Sequence, residues 1–197
     1  ITFTNPYQKG RLEILKILTR GLQFDPDVRF ESVASALAGR SGAEVAAVIK
    51  EAKSLAAKRN GEETVLTIKQ EDFSRAIDRI LIGMLTDVVL SPDEQKIAAY
   101  HEAGHAVIGL RDPNTTVERV GIIPRGETLG ATLTPPYEER AIETKSQLIW
   151  HIKMLLAGIL SERMFLKEGS TSAVNDLRRA TELATKMVVN WGMAEPD

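Results

Sequence analysis

The sequence predicts a mainly α protein, a four-helix bundle followed by a mostly helical domain that carries one small two-stranded β element. Three observations predict it. Apolar residues recur at helical spacing through most of the chain, as in Leu12, Ile14, Leu15, Ile17 and Leu18 or Val45, Val48, Ile49, Ala52 and Leu55. Two helix openings carry a Ser N-cap with a Glu three residues on, Ser41-Gly42-Ala43-Glu44 and Ser91-Pro92-Asp93-Glu94. Strand-like alternation is confined to Val117–Ile123 and Leu129–Leu133, which the Pro124-Arg125-Gly126-Glu127 turn would join.

Taken in order, Ile1-Thr2-Phe3 reads as the tail of a strand stopped by Asn5-Pro6. A helix is expected over Lys9–Arg20 with Gly21 as its stop, then a turn at Asp25-Pro26-Asp27 and a short helix over Phe30–Leu37 ending at Gly39. The third helix starts at the Ser41 cap and ends at Asn60-Gly61. Val65-Leu66-Thr67-Ile68 is extended, and a fourth helix over Gln70–Ile82 turns Phe73, Ala76, Ile77 and Ile80 inward. Short loops between four amphipathic helices make a small bundle. Gly83–Leu90 reads as a linker, so the expected domains are 1–82 and 83–197.

The second domain opens on a helix over Ser91–Leu110, with Pro at its first position and acids in its first turn. Arg111-Asp112-Pro113-Asn114 is a turn, the two short strands follow, and Pro135-Pro136 ends the second of them. Two strands beside a helical body leave an open edge, which can hold an extended peptide through backbone hydrogen bonds without demanding a particular sequence. A long helix over Thr144–Phe165 carries Leu148, Ile152, Leu155, Leu156, Ile159 and Leu160. After the Gly169-Ser170-Thr171-Ser172 loop, a last helix from Val174 to Trp191-Gly192 turns Leu177, Ala180, Leu183, Ala184, Met187 and Val188 inward.

Composition narrows the function classes. The 197 residues allow one large or two small domains, and 43% hydrophobic content is ample for a core. With 25 basic against 27 acidic residues there is no basic field for nucleic acid. Cysteine is absent, which excludes disulfides and thiolate chemistry, so any metal would be held by His and carboxylate. No apolar run reaches the ~18 residues that span a bilayer, and the chain as given is expected to be soluble. It begins without Met and stops just after an apolar helical segment, as expected of a piece of something longer.

The chemistry concentrates in Tyr100-His101-Glu102-Ala103-Gly104-His105. One helical turn separates the two histidines by roughly 6 Å along the axis and about 40° in azimuth, so both imidazoles can reach one ion, and neutral imidazoles suit zinc. Glu102 lies a quarter-turn away, placed as general base to a water on the metal. Two histidines at this spacing can also be plain surface residues, with Glu as an ordinary helix former. Against that, two of only three histidines fall here, and Ala98, Ala99, Ala103, Ala106, Val107 and Ile108 make the helix a buried one. His151 sits among Leu148, Trp150 and Ile152, and packing or helix surface explains it. For a third ligand two carboxylates compete. Asp176 is held on the capped first turn of the last helix, whereas Glu162, near the end of the long helix, can alternatively orient a ligand imidazole.

The letters of the first block, Pro6 with Gly10-Arg11-Leu12-Glu13-Ile14-Leu15, Asp27-Val28, Ser41-Gly42-Ala43-Glu44, Glu51-Ala52, Ala56-Ala57-Lys58-Arg59 and Asp72-Phe73 with Ala76-Ile77-Asp78-Arg79, resemble the C-terminal helical lid of an AAA ATPase. The resemblance places Ile14, Gly42 and Ala43 against adenine, together with Leu18, which stands where that family often has His. In the second block Ala99 to Val107, Ile122-Ile123-Pro124-Arg125-Gly126 with Leu129-Gly130 and Thr132, and Ser170-Thr171 with Asn175-Asp176 and Ala180-Thr181 resemble the FtsH family of membrane-anchored ATP-dependent zinc metalloproteases. Ser172 stands where that family usually has Gly. Ala157-Gly158-Ile159-Leu160-Ser161-Glu162 stands where it tends to read Gly-Gly-Arg-x-Ala-Glu.

The resemblance implies an AAA lid at 1–82 and a C-terminally truncated zinc peptidase domain at 83–197. It implies zinc on His101, His105 and the carboxylate of the Asn175-Asp176 step, Glu102 as catalytic base, and ATP as cofactor of the full-length protein. It further implies a homo- or hetero-hexamer through the AAA ring, unfolded or membrane-protein substrates, and no nucleic-acid partner. The anchor would lie in segments absent from this chain, in a bacterial inner membrane or its organelle equivalent, with the catalytic domains on the cytoplasmic, matrix or stromal side. Gly-x-x-x-x-Gly-Lys-Ser/Thr is missing, so this chain is expected not to hydrolyse ATP alone. Two rivals are an inactive assembly or substrate-holding module of an FtsH-like hexamer, which would be expected to lose Glu102 first, and a zinc hydrolase of small amides, against which the open strand edge favours polypeptide.

Overall fold

The computed structural model describes residues 4–61, 66–124, 129–135, 140 and 142–194. It is mainly α, as predicted, and divides into two compact units, 1–86 and 87–197. The expectations placed on Ile1-Thr2-Phe3, Val65, the Arg125-Gly126-Glu127 turn and Pro136 lie outside the described residues.

In the first unit α1 (Gln8–Leu18), α2 (Phe30–Ala36), α3 (Gly42–Asn60) and α4 (Gln70–Ile77) enclose Leu15, Val33, Leu37, Val45, Val48, Ala52 and Phe73. The Ser41 hydroxyl accepts from the Glu44 amide while Glu44 returns a bond to the Ser41 amide, satisfying two donors that a helix start leaves orphaned. Gly39 and Gly61, both in the left-handed region at φ 72° and 60°, let the chain leave α2 and α3. Two buried ionic groups are held by specific partners: Arg11 Nε donates to Ala34 O and Arg11 Nη1 to Pro6 O, both at 2.8 Å, and Asp72 pairs with Arg59 at 2.8 Å.

Two features of this unit differ from expectation. Strand β1 (Gln23–Phe24), unannounced in the sequence, pairs in parallel with β2 (Thr67–Ile68). The pair is too short to show alternation, and what fixes it is the packing of Phe24 against Phe30 and Phe73. Ile80, expected inward, is exposed, and Asp78 is buried. The helix widens into a π-helical turn over Asp78–Ile82, and the extra residue in that turn rotates the following side chains off the apolar face.

In the second unit the long helices α5 (Pro92–Gly109) and α6 (Lys145–Phe165) lie side by side, and α7 (Val174–Val189) packs on α6. Capping boxes open both long helices, Ser91 with Glu94 and Thr144 with Gln147. The close approach of α5 and α6 depends on Gly104, where a Cβ would lie 2.8 Å from that of Ser161 and collide with the Ala157 carbonyl. Strands β3 (Arg119–Gly121) and β4 (Ala131–Leu133) pair antiparallel, with Val120 opposite Thr132. They are shorter than predicted, although Glu118 N still donates to Leu133 O and Thr116 N to Pro135 O.

Helix α5 is not buried all round: Ala99, Ala103 and Val107 face outward, and the buried stripe is Ala98, His101, Glu102, His105 and Gly109. Thus the polar residues themselves occupy the inner face. Helix α7 likewise buries a narrow stripe through Ala180 and Met187, leaving Leu177, Ala184 and Val188 exposed where the periodicity expects them inward, and Leu160 of α6 is exposed too. No helix among the described residues is long and apolar enough to cross a membrane.

Candidate metal centre

Two helices bring three side chains together in the second unit. One turn of α5 sets the His101 and His105 rings edge to face, and the first turn of α7 brings Asp176 to both. His101 Nε2 lies 3.0 Å from His105 Nε2 and 3.2 Å from Asp176 Oδ2, and His105 Nε2 lies 3.3 Å from the same oxygen. A tetrahedral ion with bonds of about 2.0–2.1 Å holds its ligand atoms about 3.3 Å apart. The triangle therefore has the dimensions of one face of such a site, and these three residues can hold a metal ion.

The outer nitrogens show which lone pairs point inward. His105 Nδ1 lies 2.7 Å from the carbonyl oxygen of Met154, which can only accept, so that nitrogen carries the proton. His101 Nδ1 lies 2.6 Å from Oε1 of the buried Glu162, which calls for the same tautomer. Both Nε2 atoms then present lone pairs to each other and to a carboxylate. Three such groups within hydrogen-bond distance require a cation among them, either a metal or a proton.

The electrostatics of the bare site run in that direction. Burial disfavours a charged His101, but its hydrogen bonds to Asp176 and Glu162 and the charges of Glu162 and Glu102 prevail, raising its pKa above that of an ordinary imidazole. Burial pushes the Asp176 carboxyl up, yet its bonds and charge attraction to the two imidazoles hold it far below the usual carboxylate range. Glu162 is lowered as well, since bonds from His101, Ser172 and Ser170 outweigh its desolvation.

Glu102, buried beside the histidines, is held from the β element. Thr132 Oγ1 on β4 donates to Glu102 Oε2 at 2.6 Å, and a Cβ on Gly130 would stand 2.7 Å from Glu102 Cγ. Oε1 carries no hydrogen bond from the described residues. His151 stays apart on the half-exposed side of α6, with Glu143 Oε1 at 3.5 Å from its Nδ1.

Of the two competing carboxylates, Asp176 lies among the Nε2 atoms, while Glu162 backs His101 from the far side of the ring. The expected cap on the first turn of α7 is absent. Its N-cap position is Ala173, and the chain enters through a 3₁₀ turn, Thr171–Ala173, which Ser170 caps instead by accepting from the Ser172 amide. Several supporting residues drew no role from sequence reasoning: Thr132, Met154, Ser170, and Gly158, where any Cβ would strike the His101 ring. Gly158, Thr132 and Ser170 carried only the signal of standing in stretches compared with the family.

Of the residues expected to face adenine in the first unit, Ile14 and Gly42 are neighbours. Ile14 Cδ1 lies 3.4 Å from where a Cβ on Gly42 would be, and Ala43 beside it is exposed. Leu18, one turn beyond Ile14, is also exposed.

Comparison with known proteins agrees with both halves. The model of peptidase family M41 matches residues 88–196, and that of the AAA+ lid domain matches 27–75. A relative from Syntrophotalea carbinolica named ATP-dependent zinc metalloprotease FtsH is 38% identical over 99% of this chain and 30% of its own length. The Helicobacter pylori protein of the same name is 42% identical over 96% of the chain and 30% of its own length. One from Thermoanaerobacter, ATP-dependent zinc metalloprotease FtsH 2, is 42% identical over 96% and 37% respectively. The chain thus spans about a third of the length of these relatives.

Proposed function

Because the chain belongs to peptidase family M41, we propose that its second unit is a zinc-dependent endopeptidase in which His101, His105 and Asp176 hold the metal and Glu102 is the general base. The observation that carries this reading is the convergence of two imidazole lone pairs and a carboxylate at 3.0 to 3.3 Å, with both outer nitrogens tied to acceptors. When bound, zinc supplies a Lewis acid that polarises a peptide carbonyl and acidifies a water. The Thr132 bond fixes one oxygen of Glu102 and leaves Oε1 to take the proton of the attacking water and pass it to the leaving amine. The hydrogen-bond donors and acceptors along the short β3–β4 pair are the means of holding an extended, unfolded segment of protein in passing.

The first unit is read as an AAA lid whose Ile14, Leu18, Gly42 and Ala43 meet an adenine completed elsewhere in a longer protein. There, ATP would drive unfolded or membrane-protein substrates through a hexameric, membrane-anchored ring toward the metal site. The deciding experiment measures the zinc content of the purified chain together with casein cleavage and phosphate release from ATP. Stoichiometric zinc, cleavage abolished by a chelator and restored by zinc, and no ATP turnover are expected. Zinc without cleavage would instead make the unit a substrate-holding module, and steady ATP turnover would overturn the reading of the lid.

A further inference from the structure

Behind His101 lies a hydrogen-bonded group of Glu162 and the hydroxyls of Ser170 and Ser172. Glu162 Oε2 accepts from the Ser170 amide at 2.6 Å, and Glu162 Oε1 accepts from both His101 Nδ1 at 2.6 Å and Ser172 Oγ at 2.8 Å. Ser172 has one hydroxyl proton, and Glu162 can only accept, so that proton is committed to the carboxylate. The Ser172 oxygen is then left with lone pairs. One receives the Ser170 hydroxyl at 2.8 Å, and the other faces His101 Nδ1 at 3.2 Å. Finally, Ser170 Oγ accepts from the Ser172 amide at 3.3 Å.

We propose that Ser172 is a positioning residue that couples the orientation of His101 to the turn delivering Asp176, so that the two ligands are set by one hydroxyl. Resting on the zinc site assigned above, the coupling has two arms. Toward α5, Ser172 is a second partner for the His101 Nδ1–H, and it holds the Glu162 oxygen on which that N–H is centred. This enforces the tautomer that leaves Nε2 free as a ligand. Toward α7, Ser172 is the middle residue of the 3₁₀ turn Thr171–Ala173, which runs straight into the helix whose first turn carries Asp176. Because α7 has no side-chain cap of its own, the Ser170–Ser172–Glu162 bonds add a tie between its start and the histidine side of the site, beside the contacts of Asp176 itself. Ser172 touches neither substrate nor metal and acts through His101 and Glu162.

The test is zinc affinity by chelator competition and the visible spectrum of the cobalt-substituted chain, compared for the wild type, Ser172→Ala, Ser172→Thr, Glu162→Gln and the double variant Ser172→Ala/Glu162→Gln. Ser172→Ala is expected to weaken zinc by about 10 to 100-fold, as loss of a partner behind a ligand does, and to shift the cobalt bands. Ser172→Thr, which keeps the hydroxyl, should restore both. Since Ser172, Glu162 and His101 form one hydrogen-bonded group, the two losses should be less than additive in the double variant. Ser172→Gly, lacking the same hydroxyl, replaces the alanine variant should that one not fold. Wild-type affinity and spectrum in a folded hydroxyl-less variant, or additive losses in the double variant, would overturn the coupling. Failure of the wild-type chain to bind zinc would overturn the metal site itself.

Discussion

Replacing Glu102 by Gln is expected to leave zinc bound at full stoichiometry and to reduce casein cleavage by roughly 10²- to 10⁴-fold, the usual contribution of a positioned acid–base group. The change is nearly isosteric. Gln can keep its carbonyl oxygen on the Thr132 hydroxyl, so the β4 contact and the packing at Gly130 survive. Its amide then occupies the place of Oε1, and an amide nitrogen cannot take a proton from water. None of the three atoms that converge at 3.0 to 3.3 Å belongs to Glu102, so metal content should not move. Zinc lost together with activity would mean that Glu102 helps to hold the ion. Activity retained would mean that the base is another group.

Replacing Asp176 by Asn is expected to cost far more zinc affinity than replacing Glu162 by Gln. The first change swaps the anionic ligand atom for a neutral one, leaving two imidazoles alone with the cation, and retention in a chelator titration should be nearly abolished. Glu162→Gln removes no ligand and should cost about 10 to 100-fold. Its amide must set an N–H against either the Ser170 amide or the His101 N–H, each now 2.6 Å from a carboxylate oxygen. If the Glu162 variant lost the metal and the Asp176 variant kept it, the two roles would be reversed. The pH dependence has a defined sign. Zinc competes with the proton that the bare site retains on His101, whose pKa lies above the ordinary value of about 6.5. Affinity should therefore be complete above that raised pKa and fall as pH drops through it, beginning at a higher pH than for an unperturbed histidine.

What could be read from the letters was whatever a single turn of chain decides. The caps at Ser41 and Ser91 stand where predicted, because a hydroxyl three residues from a Glu satisfies the same two backbone donors whatever the rest of the fold does. The pairing of His101 with His105 was legible for the same reason, since α-helical geometry stacks residues four apart. Local rules failed where neighbours decide: at Ile80, turned out by a π-helical turn, and at the outward faces of α5 and α7.

By itself, then, the sequence determined a mainly α chain, two histidines on one helical face and an acid beside them. For the third ligand the residues alone left two carboxylates in competition, and only the family resemblance favoured Asp176. Which of them meets the ring nitrogens and which backs the ring depends on contacts 75 and 61 residues from His101. Those contacts exist because Gly104 and Gly158 let α5 and α6 approach until His101 reaches Glu162, and because α7 enters through a 3₁₀ turn that leaves Asp176 facing inward. Helix formation is local and leaves its mark within a few residues; the choice between two acids follows from how closely three helices pack, and only tertiary structure sets that distance.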